Sequence, residues 1–309
     1  MIENIKPHIT FKEPFLLLVF IFFSGSCEEV VDVDLPETET RLIINGIVRI
    51  NQDDEFLPIR IEATETTSFF DEPVVTQLDD AVILVGEPDP DNPDNLNLGV
   101  SVLREYQAGT GIYEPDTIGN DVDERIPTAF INPNTVFYLI VEHKGKRYAG
   151  ITNYVPTVPI DKLEQGDETL FDEDDTEVKI TITDTPDKKN YYVFDFGFGE
   201  FLALDDQFID GQEFEFSYFY DSETETGNTI AVSILGADQQ FFNYMDLLVE
   251  QTEDTGGIFE TPSGTVRGNM FDVTGLDNIE IFDNAGRPES FPLGYFAVVQ
   301  EFKQTLIVE

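Results

Sequence analysis

A chain of 309 residues with 62 Asp and Glu against 17 Lys and Arg carries a formal charge of −45. That charge repels nucleic acid and anionic lipid surfaces, which argues against any nucleic-acid partner. Hydrophobic residues make up 41% of the chain and 27 residues are Phe, enough for a core, whereas two His and one Cys leave little for imidazole or thiolate chemistry.

The first segment reads as a leader. Lys6 and Lys12 precede an apolar run, residues 14–23, whose length of about ten falls well short of the roughly 20 that span a bilayer and fits a signal-peptide core. Ser24-Gly25-Ser26 supply small side chains, and Cys27 follows. The arrangement resembles the lipobox of bacterial lipoproteins, with Ser24 standing where a large aliphatic residue is usual. The resemblance implies a signal peptide over residues 1–26, cleavage before Cys27, and lipidation of Cys27. Several acyl chains, at about 0.8 kcal/mol per buried CH₂, would then hold the protein to a membrane permanently. Losing residues 1–26 removes Glu3, Lys6, Lys12 and Glu13, two of each sign, so the charge of −45 is unchanged. With Cys27 lipidated no disulfide can form within the mature chain.

Residues 27–40 are acidic, contain Pro36 and lack a period, and read as a tether. From Arg41 onward apolar residues alternate with period two, the mark of strands. Strands are predicted over 42–50, 59–63, 81–85, 136–142 and 147–154, the last two joined by a hairpin turn at His143-Lys144-Gly145-Lys146. This predicts an immunoglobulin-like β-sandwich over residues 41–157. Pro156 and Pro159 mark its end, since proline cannot continue a ladder. Beyond them, strands are predicted over 177–183, 191–198, 214–220, 229–235 and 294–302. Residues 238–251 predict a helix, capped by Asp238, with Phe241, Met245 and Leu248 on one face. Residues 158–309 thus read as a larger antiparallel β-sandwich or barrel with one short helix, and the chain as all-β.

A set of short pieces runs through these elements. Leu42-Ile43-Ile44-Asn45-Gly46, Asp79-Asp80-Ala81-Val82-Ile83, Gly111-Ile112-Tyr113 and Phe137-Tyr138-Leu139-Ile140-Val141 come first. Asp184-Thr185-Pro186, Asn190-Tyr191-Tyr192 and Asp205-Asp206-Gln207-Phe208-Ile209-Asp210-Gly211 follow, and Gly268-Asn269 and Leu293-Gly294-Tyr295-Phe296 close the set. In order and spacing they resemble a family of Bacteroidota lipoproteins defined by a domain of unknown function (DUF4249). Members are commonly encoded beside TonB-dependent outer-membrane receptors, which implies an accessory role in uptake. The family has no agreed activity, so the resemblance brings no catalytic residues. Glu28 and Glu29 also resemble the acidic signal that sends such lipoproteins to the cell exterior.

The residues themselves offer little catalytic chemistry. His143 is the one histidine beyond the leader and falls in a predicted turn, where a solvated side chain is expected. Ser-His-Asp, Cys-His and His/Cys zinc chemistry lack their parts. A glycosidase-like mechanism needs two carboxyl groups about 5–9.5 Å apart, and no pair stands out among so many acids. Two acidic loops hold the hard oxygen ligands that calcium prefers, Asp89, Asp91 and Asp94 in one and Asp172, Asp174 and Asp175 in the other. Neither has an EF-hand pattern, and the plain alternative is a solvated loop. Tyr192, Phe194, Phe196 and Phe198 share one strand face, and Phe214, Phe216, Tyr218, Phe219 and Tyr220 form a second aromatic cluster. They predict a Phe-rich core, with an aromatic ligand pocket as the alternative.

The expected function is therefore a non-catalytic outer-membrane lipoprotein facing the cell exterior, which docks on or captures cargo for a TonB-dependent receptor. A stand-alone binding or adhesion module and a carboxylate-based hydrolase are the alternatives.

Overall fold

Strand β1 (Leu42–Ile50) shows how the sequence makes this fold. Leu42, Ile44, Val48 and Ile50 are buried while Asn45 is exposed, because a pleated strand sends alternate side chains to opposite faces and β-branched residues fit that surface. The computed structural model describes residues 40–67, 74–89, 92–117, 122–170, 175–220, 226–253, 266–275 and 291–309. After β1 come β2 (Ile61–Glu65), β3 (Val74–Val75), β4 (Asp80–Asp89), β5 (Asn92–Glu105), β6 (Ile112–Pro115), β7 (Val136–His143) and β8 (Lys146–Val155). The chain continues through β9 (Ile160–Gln165), β10 (Thr176–Thr183), β11 (Tyr191–Gly197), β12 (Glu200–Asp205), β13 (Glu213–Tyr220) and β14 (Thr229–Ala237). Helix α1 (Gln239–Glu253), β15 (Met270–Asp272) and β16 (Leu293–Ile307) complete it. The all-β expectation holds, and each predicted strand lies on an observed one.

The described strands form a thirteen-stranded sheet and a three-stranded sheet. Within the large sheet, β16 pairs in parallel with both β1 and β8. With β2, β6, β5, β4 and β7 between those two, the pairings form a closed circuit. Its interior is apolar: Ile44, Ile50, Ile61, Ile83, Leu139 and Phe296 are all at 0% exposure. Where a self-contained sandwich was predicted over residues 41–157, the circuit is completed by a strand from the far end of the chain. The physical reason is the edge problem. Without β16, β1 would carry a row of unpaired backbone groups and β8 would lose its partner at Tyr154 and Val155, and alternation alone does not name the partner that covers them. The predicted division at 157/158 lies inside one compact unit, Thr40–Glu309.

The second half is layered. Its three-stranded sheet, β13-β10-β9, packs on β11, β14 and the C-terminal part of β16 through Val178, Ile180, Ile182, Tyr192, Phe194 and Phe196. On the opposite face of those strands lies α1, through Phe241 and Met245 against Val193, Leu235, Tyr295 and Val299. Asp238 caps the helix as predicted, accepting the Phe241 N–H at 2.8 Å. No helix among the described residues is long and apolar enough to cross a membrane.

Candidate functional site

Of the predicted site residues, Cys27, Asp172 and Asp174 lie outside the described residues, as do the side chains of Asp89, Asp91 and Asp94. The backbone places Asp89 opposite Asn92 at the turn of the β4–β5 hairpin. Asp175 is described, and its Oδ2 accepts the N–H of Leu170 at 3.2 Å.

His143 departs from expectation. It is only 5% exposed, with Nδ1 2.9 Å from the Gln77 carbonyl oxygen and Nε2 2.9 Å from Glu65 Oε1. The alternation of β7 explains this: Phe137, Leu139 and Val141 point inward, and His143 is the next residue in that series. Lys144 Nζ also reaches Glu65 Oε1, at 2.5 Å. Burial pushes the Glu65 carboxyl up, yet the hydrogen bonds and charges of Lys144 and His143 prevail and hold it below the ordinary carboxylate value.

The aromatic clusters are core, as the plain reading expected. Phe196 stacks on Tyr218 with ring centroids 3.8 Å apart, and Phe194 meets Phe216 edge to face at 5.0 Å. Phe198 is the exception. Gly197, Phe198 and Gly199 all have positive φ, at 83°, 56° and 88°, and turn β11 into β12. The alternation stops at Gly197, and Phe198 stands 93% exposed at the hairpin tip.

One carboxylate cluster escaped the sequence reading. Carboxylate oxygens of Asp184, Asp206 and Asp210 lie within 4.8 Å of one another, the first two residues buried and the third exposed. Asp184 follows β10, and the other two sit in the turn after β12. Asp184 accepts the Tyr192 hydroxyl at Oδ1 and the Gly211 N–H at Oδ2. Asp206 Oδ2 accepts the Asn190 N–H at 2.5 Å, and Asp210 Oδ1 accepts that of Asp187 at 3.0 Å. Burial, followed by the hydrogen bond to Asp184, pushes the Tyr192 hydroxyl well above its ordinary pKa, so it stays a donor. Three oxygens so close are the kind of set a hard cation takes; the donors in place give each carboxylate a structural role in the turn. The only sequence signal was their presence in two neighbouring pieces of the family pattern, 184–186 and 205–211.

Those pieces are joined in space elsewhere too. Gly268-Asn269 and Leu293-Gly294-Tyr295-Phe296 meet so closely that a Cβ on Gly268 would lie 1.5 Å from the Gly294 carbonyl oxygen. No curated protein matches the chain at a significant level. A family model does match, over residues 28–276, which takes in the strands from β1 to β15 and stops before β16. The chain belongs to the family described as a domain of unknown function, DUF4249.

Proposed function

We propose that this protein is a non-catalytic, lipid-anchored outer-membrane lipoprotein on the cell exterior. In this reading it docks onto a TonB-dependent receptor and helps capture its cargo. The leader over residues 1–26, followed by Cys27, supports the anchor, and the family resemblance supports the receptor. The structural observation that carries the docking reading is Phe198.

β11 runs parallel to β16 and β1, because β14 lies antiparallel to both of its neighbours. Ile43 is level with Leu293, and Asp195 with Ser233 and hence with Lys303. Phe198 therefore lies at the end of β14 and β16 that is remote from Leu42. Leu293 and Lys303 are ten residues apart on β16, so at about 3.3 Å per residue the two levels are separated by roughly 33 Å. A bulky residue at positive φ costs on the order of 1 kcal/mol or more, and a ring left in water returns none of it. Buried in a partner, the same ring would contribute about 1.5–3 kcal/mol. Anchorage confines protein and receptor to one plane, so a modest interface of at least about 1,000 Å² can hold through high effective concentration.

The test is affinity purification of the lipidated protein from native membranes. A receptor barrel in stoichiometric yield is expected with the parent protein, and its loss with Phe198→Asp at an unchanged melting temperature. If the parent brings down no barrel, the receptor reading fails and a stand-alone binding module takes its place.

A further inference from the structure

Arg60, Arg104 and Arg125 belong to three separate segments, yet they line one open cleft of about 730 Å³ on the flank of the closed circuit. The volume is typical of small-molecule sites, which run to about 300–1,000 Å³. Leu57, Pro58, Ile59 and Pro115 give it apolar walls, and Tyr106 stands 70% exposed beside them. Seventeen basic side chains are scattered through a chain of charge −45, and three of them converge here.

Their existing contacts leave donors to spare. Arg60 reaches Glu62 through Nε at a long 3.4 Å, and its Nη1 is 3.6 Å from Glu114. Arg104 holds the buried carboxylate of Asp116 through Nε. Arg125 spends Nε and Nη2 on Asp123 and lays its plane over Phe56, 3.9 Å from the ring centroid. A guanidinium carries five N–H donors in a fixed fork that matches a carboxylate or phosphate, so Arg60 and Arg104 keep Nη donors beyond these contacts. Among the acids, Glu105 is already taken by the N–H groups of Gly109 and Gly111 and by Gln77. Two of these pairs are local, Arg60 with Glu62 and Arg125 with Asp123, like Lys162 with Glu164 elsewhere on the surface. Three forks from three segments around one apolar-walled concavity form a different arrangement.

We propose that this cleft binds a small organic ligand through an oxyanion, a carboxylate or a phosphate, held by the forks of Arg60 and Arg104. The apolar part of the ligand lies on Leu57, Pro58 and Pro115. The proposal is independent of the receptor reading.

The test is calorimetric titration of the full-length protein at constant ionic strength with citrate and, separately, with inorganic phosphate. Saturable one-site binding of at least one probe is expected. Citrate alone assigns a carboxylate, phosphate alone a phosphate, and both together the oxyanion in common. Arg60→Gln is expected to weaken binding about tenfold at an unchanged melting temperature. Glu114→Gln removes a competing carboxylate and is expected to tighten binding, whereas Glu213→Gln, the same charge change on exposed β13, leaves it alone. No saturable binding of either probe, equal affinity in Arg60→Gln, or an equal gain in Glu213→Gln overturns the proposal.

Discussion

The side-chain amide of Asn269 pairs with the backbone of Phe296 in both directions, donating to its carbonyl at 2.6 Å and accepting its N–H at 2.8 Å. The same Nδ2 reaches the Ile151 carbonyl on β8 at 3.2 Å. Direct pairing of β16 with β8 is confined to Val298 and Val299, so Asn269 extends that junction as a one-residue stand-in for a strand. Asn269→Asp keeps the size but loses both donations, and sets a carboxylate against two carbonyls in a site 6% exposed. A loss of about 2–4 kcal/mol is expected, read from urea unfolding.

The Glu65 cluster predicts a pH dependence. Its folded pKa lies below the unfolded value of about 4.3. The stabilisation is therefore complete above that value and is lost as pH falls through the folded pKa. Between pH 6 and pH 3.5 the parent is expected to lose more stability than Glu65→Gln, which has no charge there to lose. Equal losses in urea melts of the two proteins would remove Glu65 as the source.

Asp184 is expected to be structural whether or not a cation sits beside it. Asp184→Asn cannot accept from both the Tyr192 hydroxyl and the Gly211 N–H with the same geometry, and a cost of about 1–3 kcal/mol follows for a buried donor left unpaired. Gly211 has a φ of 66° and meets Pro186 closely, so the turn cannot easily move to compensate. Unfolding of Asp184→Asn and of Tyr192→Phe, singly and together, measures the coupling, which is expected to be well above additivity error.

In the proposed reading, anchorage rests on the Cys27 sulfur. Cys27→Ala is expected to move the protein from the membrane fraction to the soluble fraction, because no acyl chain can then be attached. A variant that stays with membranes after a high-salt wash would show that the leader does not end at Cys27.

The closed circuit predicts the outcome of truncation. Residues 41–157 alone lose Phe296 and Val298 from their core and leave β1 and β8 unpaired along one side. The fragment is expected to aggregate or to lack a cooperative urea transition. A sharp two-state transition in the isolated fragment would mean that β16 is dispensable there.

The sequence made the strands legible because alternation is a local signal, and the runs from Leu42 and Glu177 carry it cleanly. His143 continues the inward series of Phe137, Leu139 and Val141, although the turn motif at Lys144-Gly145 beside it points to solvent. Phe198 departs from the pattern for a related reason: the alternation counts it inward, and two glycines at positive φ rotate it out. Pairing partners are not local. Nothing near Leu42 says that Leu293 will lie beside it, and nothing near Arg60 says that Arg104 and Arg125 share its cleft. The carboxylates of Asp184, Asp206 and Asp210 were equally hidden, for among 62 acids their meeting is set by the fold and not by spacing.

Because β16 closes the circuit, the fold has an order of events built into it. Ile43 finds its partner in Leu293, so the first strand to be made must wait for the last. Contacts between such distant parts of a chain form slowly, since a long loop must close before they return any stability. A nascent chain therefore lacks a closed circuit until residues 293–307 have been made. In the proposed reading, where the first residues are an export leader, this keeps the chain unfinished, and so easier to thread through a translocation pore, until its C-terminal strand is in place.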